Sequence, residues 1–281
     1  MVDATPRALA LPSWPHGADV AVSLTFDVDG ESAWLGRGAE YESRLSTLSD
    51  ARFGIVRGLP RILALLRELQ ISATFYVPGD TAERHPDAIR AVADAGHEIG
   101  HHGYLHLRPD QIDEARQREE VDRGIAALEA CVGRRPHGYR SPAWELTPAT
   151  LAHIVARGFR YDSSCMGDDR PYVERHGPAE ILELPVHWSL DDYPHFGFSL
   201  HDGGRLSGTA PVLDAWVAEF EVALRERRHL TYTMHPEVIG RGYRTEMLRR
   251  FVETIRARAN VWFATHAEVA DAVRAMGGAT R

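Results

Sequence analysis

Two carboxylates near the start of the chain have the type and spacing of a polar site on a rigid support. Asp27 and Asp29 follow an apolar, β-prone run from Ala18 to Phe26. Side chains two positions apart on a strand point to the same face, so both acids would lie together at the strand's end. Gly30 then allows the backbone to turn or to approach a ligand closely. Alone, the pair is more typical of solvated loop acids, and a motif downstream shifts the interpretation toward a site.

That second motif is a histidine pair, His102 and His106, within Gly100-His-His-Gly-Tyr-Leu-His106. Residues four apart on a helical turn share one face, so the spacing predicts two imidazoles that can bind one metal ion. Two imidazoles and one carboxylate leave coordination positions open, as in catalytic sites. A divalent ion acidifies water and polarises a carbonyl, which is the chemistry of hydrolysis. His97 and His101 fit either ligands or packed residues.

Composition limits the classes of protein that this chain fits. It has 281 residues, 44% of them hydrophobic, and a formal net charge of −8, which argues against nucleic acid or an anionic membrane as the main partner. Two cysteines, Cys131 and Cys165, exclude a disulfide scaffold and favour a reducing compartment. Residues 1–18 lack the pattern of a signal peptide, and no apolar run is long enough to span a membrane. The expected location is the cytoplasm.

Strand-like and helix-like segments alternate along the chain. The pattern predicts strands near 18–27, 71–77, 97–100, 137–140, 159–162, 180–186, 229–234 and 261–264, and helices near 59–69, 80–95, 110–132, 147–157, 211–227, 244–258 and 266–275. This alternation predicts an α/β fold of parallel strands with helical crossovers, in a single domain over residues 1–281. Polar residues end many of these strands, which favours a barrel with its site at the rim over an open sheet.

Two long polar segments interrupt the alternation. Residues 30–54 and 187–210 show no clear periodicity and are predicted as loops that cover the site or form contacts between subunits. Residues 165–179 are rich in turn formers and are predicted as an irregular connection.

Four ordered motifs resemble those of the polysaccharide deacetylase superfamily, the NodB-homology or carbohydrate esterase 4-like proteins. They are Thr25-Phe-Asp-Val-Asp-Gly30, His102-Gly-Tyr-Leu-His106, Arg140-Ser-Pro-Ala-Trp144 and His235. The resemblance covers residues 18–265 and implies a distorted (β/α) barrel with seven strands. In detail the chain looks closer to one intracellular branch of this superfamily. The resemblance to that branch lies in Asp27-Val-Asp-Gly-Glu31 and in segments 188–196 and 235–240. That branch contains the Helicobacter peptidoglycan deacetylase homologue, cyclic imide hydrolases and the cofactor-free allantoinase.

The resemblance implies a metal site and a base. Asp29, His102 and His106 would hold a divalent metal, first of all Zn²⁺, with Co²⁺, Ni²⁺ and Fe²⁺ as alternatives. Asp27 would take a proton from the attacking water. Arg140 would pair with Asp27 and keep it ionised and oriented. Taken singly, Arg140 is more typical of a residue that only neutralises a buried acid.

The resemblance also implies an acid and a pocket. His235 would protonate the leaving nitrogen, since its pKa is naturally near the working range. Trp144 would form an apolar wall of the pocket. In this family an aspartate tunes the acid histidine, and Asp162, Asp191 and Asp192 are all open for that role; the last two are also placed in the substrate pocket.

The predicted activity is metal-dependent hydrolysis of non-peptide C–N bonds, in which water attacks an amide or imide carbonyl. A small cyclic imide, a ureide or another N-acyl compound is favoured, because a cytoplasmic chain has no direct access to cell-wall polysaccharide. The alternative is N-acetyl deacetylation of amino sugars or peptidoglycan. An Fe(II) oxygenase, which uses the same ligand triad, and a non-catalytic homologue rank lower. The resemblance further implies a homo-oligomer, a tetramer or a dimer.

Overall fold

The computed structural model describes residues 13–276. Residues 1–12, on which most of the expectation about a signal peptide depends, lie outside the described part of the chain. Between residues 13 and 276, no helix combines the length and the apolar character needed to cross a membrane.

A curled sheet of nine strands organises the fold, and eight of these strands form parallel pairs. The strands are β1 Val20–Asp27, β2 Thr74–Val77, β3 Glu98–His101, β4 Gly138–Tyr139, β5 Tyr161–Asp162, β6 Tyr172–His176, β7 Ala179–Glu183, β8 His229–Met234 and β9 Val261–Phe263. They lie in the order β6-β7-β5-β4-β3-β2-β1-β8; β9 also pairs in parallel with β1, and only β6 runs antiparallel to its neighbour, β7. After β7 the chain crosses to the opposite edge, where Asp191 forms a bridge with Thr233 of β8. This curled arrangement confirms the expected distorted (β/α) barrel.

The central strand β1 shows why the sheet has two different faces. All eight of its residues are buried. Val22, Leu24 and Phe26 belong to the main apolar core, together with side chains from the surrounding helices. The alternate residues Thr25 and Asp27 face the enclosed side of the sheet, where both bind the Arg140 guanidinium. The period of two along the strand therefore separates core from site.

Helices connect the strands and cover the outer face of the sheet. They are α1 Ser32–Leu35, α2 Leu45–Phe53, α3 Leu59–Leu69, α4 Gly79–Arg84, α5 Pro86–Asp94, α6 Glu114–Val132, α7 Pro148–Ala156, α8 Tyr193–Phe196, α9 Thr209–Glu226, α10 Pro236–Ile239, α11 Gly242–Arg256 and α12 His266–Met276. Three long helices bury Ile62, Trp216 and Phe251 against the sheet, since their apolar residues recur with helical period.

Four predicted segments differ from the structure. The segment 187–210, predicted as a loop, contains the short helix α8. The segment 30–54, predicted as a loop, contains α1 and α2; α2 buries only Leu48 and Ala51, so it lacks the apolar stripe that marks a helix. The segment 165–179 contains β6, an edge strand that pairs with β7. The predicted helix 80–95 is divided into α4 and α5 at Pro86, because proline cannot continue the hydrogen bonds of the preceding turn.

A π-helical turn, Gly54–Gly58, joins α2 directly to α3 and packs against α10. Gly58 and Gly240 make this contact possible. A Cβ atom on Gly58 would lie 2.0 Å from the Pro236 carbonyl oxygen, and one on Gly240 would lie 2.2 Å from the same oxygen. The backbone that follows β8 therefore packs directly against the π-turn.

We expect Gly58→Ala to lower the free energy of unfolding by about 1–3 kcal/mol, because the added methyl group overpacks a backbone contact. The measurement is urea unfolding of the two proteins. Gly208→Ala is the matched control, since a Cβ there meets nothing nearer than 3.8 Å. Equal stability of the Gly58 variant and the parent would show that the π-turn accommodates the added methyl group, contrary to this expectation.

Candidate metal centre and active site

Three side chains converge at the rim of the barrel to form a possible metal site. Asp29 follows β1, while His102 and His106 follow β3. The Nε2 atom of His102 lies 3.6 Å from Asp29 Oδ1, and the Nε2 atom of His106 lies 3.4 Å from Asp29 Oδ2. One ligand atom from each residue falls within 4.8 Å of the others. The structure thus brings together the three residues predicted as ligands.

The reason that the two histidines meet differs from the prediction. They do not lie on a helical turn: residues 102–106 form an irregular loop after β3. Gly103 (φ +73°) and His106 (φ +54°) both adopt left-handed backbone conformations, which reverse the chain. A non-glycine residue in this region costs of order 1–3 kcal/mol and usually persists where function requires it. The expectation of a helical spacing was wrong, although the convergence of the imidazoles holds.

The chemistry of these donors fits a divalent cation. Asp29 Oδ1 is buried and has no hydrogen-bond partner among residues 13–276. Burial raises the pKa of Asp29, and the charge of the neighbouring Asp27 raises it further. A bound cation would stabilise the ionised form of Asp29 and oppose both effects. His102 donates through Nδ1 to the Arg140 carbonyl at 2.8 Å, which leaves the Nε2 lone pair free to coordinate. Burial also lowers the pKa of His102 and brings that of His106 to about 4, so both rings are neutral.

Asp27 is an ionised acid beside this site. Arg140 Nη1 donates to Asp27 Oδ1 at 2.7 Å, and both side chains are fully buried. Burial alone would raise the pKa of Asp27, but the charges of Arg140 and His235 hold it below its usual range. Its other oxygen, Oδ2, lies 3.8 Å from His102 Nε2. Asp27 is therefore a carboxylate with one oxygen held by arginine and the other facing the metal ligands.

His235 forms a second cluster with two buried aspartates. Its Nδ1 atom donates to Asp192 Oδ1 at 2.8 Å and lies 3.5 Å from Asp191 Oδ1. Burial alone would lower the pKa of His235, yet these carboxylates outweigh it and hold the pKa well above its usual range. An imidazolium with Nε2 free can donate a proton to a ligand. Asp162 makes its contacts elsewhere: Ser164 donates to it, and it lies against Glu183.

Trp144 lies next to the site in a strained turn. Ala143 (φ +53°) and Trp144 (φ +56°) are consecutive non-glycine residues in the left-handed region. The Trp144 ring stacks on Trp188 with ring centroids 4.2 Å apart. Trp188 is itself 43% exposed, so the stacked pair forms an apolar surface that a ligand can contact.

Comparison with known proteins places this arrangement in a family. A sequence profile of the family described as polysaccharide deacetylase matches residues 17–161, just over half of the chain. The chain belongs to the polysaccharide deacetylase family. The matched region contains the three candidate ligands, Asp27, Arg140 and Trp144, and the assignment confirms the resemblance seen in the sequence.

Similar proteins of this family span nearly the whole chain. The peptidoglycan deacetylase of Helicobacter pylori is 28% identical and aligns with 90% of this chain and 96% of its own length. A crystal structure of a Mycobacterium smegmatis protein assigned as a polysaccharide deacetylase is 40% identical, with a TM-score of 0.92 and coverage of 98% and 96% of the two chains. The crystal structure of an allantoinase is 26% identical, with a TM-score of 0.85 and the same coverage.

One residue that supports the candidate metal site was not predicted. Glu120, on α6, is buried and accepts hydrogen bonds from the backbone N–H groups of Tyr104 (3.1 Å) and Leu105 (2.7 Å). It thereby holds the loop that carries His106. Glu119 precedes it on the same charged helix and faces solvent. The helical period that buries Val121, Gly124 and Leu128 also places Glu120 on the buried face, and this signal could have found it.

The two long segments meet each other near the site. Arg37 donates to both carboxylate oxygens of Asp202 at 2.7 Å, and Arg44 Nη1 lies 2.6 Å from His201 Nδ1. His201 also packs edge-on against the rings of Trp34 and Tyr41. Segments 30–54 and 187–210 therefore contact each other through charged and aromatic side chains.

We expect His106→Ala to weaken zinc binding by more than about 100-fold, because removing a ligand costs more than removing a residue that only supports one. Calorimetric titration of the metal-free protein measures this change. His137→Ala is the control, since His137 is exposed and remote from the triad. Equal zinc affinity in the two variants would contradict the ligand assignment.

Proposed function

We propose that this family member is a metal-dependent hydrolase of non-peptide C–N bonds. The observation that carries the proposal is the convergence of Asp29, His102 and His106 around an unpartnered carboxylate oxygen, next to a base and an acid. The family assignment supports a hydrolase, and the donor set supports a divalent metal, for which Zn²⁺ is the first candidate. Bound there, the metal would supply a Lewis acid for water and for the substrate carbonyl.

The base is Asp27. Its low pKa keeps it ionised at neutral pH, and Arg140 fixes its orientation through one oxygen. The oxygen on the ligand side is then available to take a proton from the water that attacks the carbonyl carbon. Because Arg140 is also bound by Ser163, the base cannot rotate away without breaking several buried hydrogen bonds.

The acid is His235. As the attacked carbonyl carbon releases its nitrogen, that nitrogen needs a proton, which the imidazolium can donate through Nε2. Asp192 holds the opposite nitrogen and Asp191 lies close by, so both stabilise the charged form before the transfer. We propose Asp192 as the principal tuner of His235, because it makes the shorter contact, with Asp191 as its neighbour in the substrate pocket.

A small cyclic imide, a ureide or an N-acyl compound is the proposed substrate. The contacts between segments 30–54 and 187–210 favour an enclosed pocket, and the similarity to an allantoinase supports a cyclic ureide. Trp144 and Trp188 would form its apolar wall. N-acetyl deacetylation of amino sugars or peptidoglycan is the second candidate, favoured by the Helicobacter pylori relative.

The proposal includes the domain organisation, the location and the oligomeric state. A single sheet across residues 20–263 supports one catalytic domain over residues 1–281. The free thiols of Cys131 and Cys165 support a cytoplasmic location. A dimer or tetramer is proposed from the family resemblance alone.

We expect Asp27→Asn to bind zinc with unchanged affinity while hydrolysis falls by about 10²–10⁴-fold, the usual contribution of a general base. Activity is measured on a panel of imides, hydantoins, allantoin and N-acetyl sugars. Asp94→Asn, an exposed change on α5, is the control. Undiminished turnover of the Asp27 variant would remove the assignment of the base.

We expect Asp192→Asn to shift the alkaline limb of the kcat/KM profile to lower pH by about one unit or more. His235 acts in its protonated form, so activity falls as pH rises through its pKa, and removal of a carboxylate lowers that pKa. Asp162→Asn is the matched control, because Asp162 is buried but lies against Glu183 instead. An unshifted limb in the Asp192 variant, or the same shift in both, would contradict the pairing.

A further inference from the structure

A second set of metal-binding side chains lies outside the proposed active site. Asp162 ends β5 and Glu183 ends β7, and the two residues are direct partners in the parallel pairing of these strands. Cys165 follows shortly after β5. One ligand atom from each of the three residues lies within 4.8 Å of the others. Two neighbouring strand ends therefore bring two carboxyl groups and a thiol to one point.

The two acids of this set are buried side by side without a cation. Both Asp162 and Glu183 are fully buried, and neither forms an ion pair with a basic side chain among residues 13–276. Arg140, which binds the adjacent Ser163, forms its ion pair with Asp27 instead. Buried charges without partners are costly. The two acids must therefore be neutralised, either by a proton shared between the carboxyl groups or by a bound cation.

The hydrogen bonds of these acids leave one oxygen atom free. The backbone N–H groups of Ser164 and Cys165 donate to Glu183 Oε1 at 2.9 and 3.0 Å. Ser164 also donates to both oxygens of Asp162, through its hydroxyl group at 2.9 Å and its N–H at 3.1 Å. Glu183 Oε2 is equally buried, yet no N–H or O–H group of residues 13–276 donates to it. Hydrogen bonds that fix a carboxylate and leave one oxygen free are typical of an oriented metal ligand.

The Cys165 thiol favours a cation over a shared proton. A proton between the carboxyl groups involves the two acids alone, whereas a cation is bound by all three donors. Sulfur together with carboxylate oxygen suits Zn²⁺ and similar ions, while Mg²⁺ and Ca²⁺ prefer oxygen ligands alone. Cys165 is partly exposed, and the adjacent Met166 is 40% exposed, so the cluster can be reached from solvent.

We propose that Asp162, Cys165 and Glu183 form a second metal site, which binds a thiophilic divalent ion of the Zn²⁺ class. On binding, the thiol releases its proton to solvent and the ion neutralises the buried acids. A water molecule would supply the fourth ligand. The site shares no ligand with the proposed active-site triad and does not depend on the proposed function. Because Ser163 lies between two of these residues in the chain and binds Arg140, the ion would also stabilise that contact.

Cobalt provides the test, because thiolate bound to Co²⁺ gives a charge-transfer band in the near ultraviolet that imidazole and carboxylate ligands do not give. The chain has 2 cysteines, so Cys131→Ser leaves Cys165 as the only thiol. Metal-free Cys131→Ser protein is titrated with Co²⁺, and bound metal is counted by elemental analysis. We expect the thiolate band to appear and two ions to bind per chain. Cys165→Ser, the matched variant, should lose the band and bind one ion fewer.

Two further variants assign the band to the cluster. His106→Ala should keep it, since His106 belongs only to the active-site triad. Glu183→Gln, which keeps the size of the side chain, should weaken the Co²⁺ binding that produces the band by more than about 10-fold. Circular dichroism checks that each variant is folded. Absence of the band from the Cys131→Ser protein overturns the inference whether or not the Cys165 variant folds, and persistence of the band in Cys165→Ser also overturns it. Neither result affects the hydrolase assignment, which is tested by turnover.

Discussion

The buried ion pair between Asp27 and Arg140 is the interaction on which the site depends. Arg140 Nη1 also donates to Thr25 at 2.9 Å, Nε donates to the Ser163 carbonyl at 3.0 Å, and its guanidinium lies 4.2 Å from the centre of the Tyr76 ring. These contacts connect β1 and β2 with the chain after β4 and β5. Breaking a buried pair by removing one partner costs about 3–5 kcal/mol, because the remaining charge is left uncompensated. The same contact thus joins strands and prepares a base.

The pKa values of two aspartates at the end of the same strand are shifted in opposite directions. Asp27 has an internal cation, so its pKa lies below the usual range; Asp29 lacks one, so burial raises its pKa and leaves Oδ1 unpartnered. A carboxylate satisfied by arginine suits proton transfer, whereas an unsatisfied one suits an external cation. Environment, and not residue type, therefore separates the proposed base from the proposed ligand, as in other sites where two carboxyl groups have different roles.

The chain after β8 shows how remote packing supports the chemistry. His235 meets Asp192 because residues after β7 cross to β8 and complete the curl of the sheet. The next turn, α10, is held by the π-turn through Gly58 and Gly240, and Gly54 admits the Glu237 carboxyl group. One small contact between two backbone segments thus helps to fix the position of the proposed acid.

The sequence by itself determined the parallel α/β alternation and the polar side chains at the strand ends, because strand period, helix period and strand-end spacing are local properties. The family followed separately, from the resemblance of four ordered motifs. Local pattern could not show that His102 and His106 meet through a left-handed loop, that Glu120 holds that loop, or that Asp192 and not Asp162 binds His235. It also missed α2, which buries too few apolar residues to show a stripe, and the edge strand β6. Only the tertiary structure decided these points, because each depends on contacts between segments far apart in the chain, whose burial sets both hydrogen-bond partners and charge.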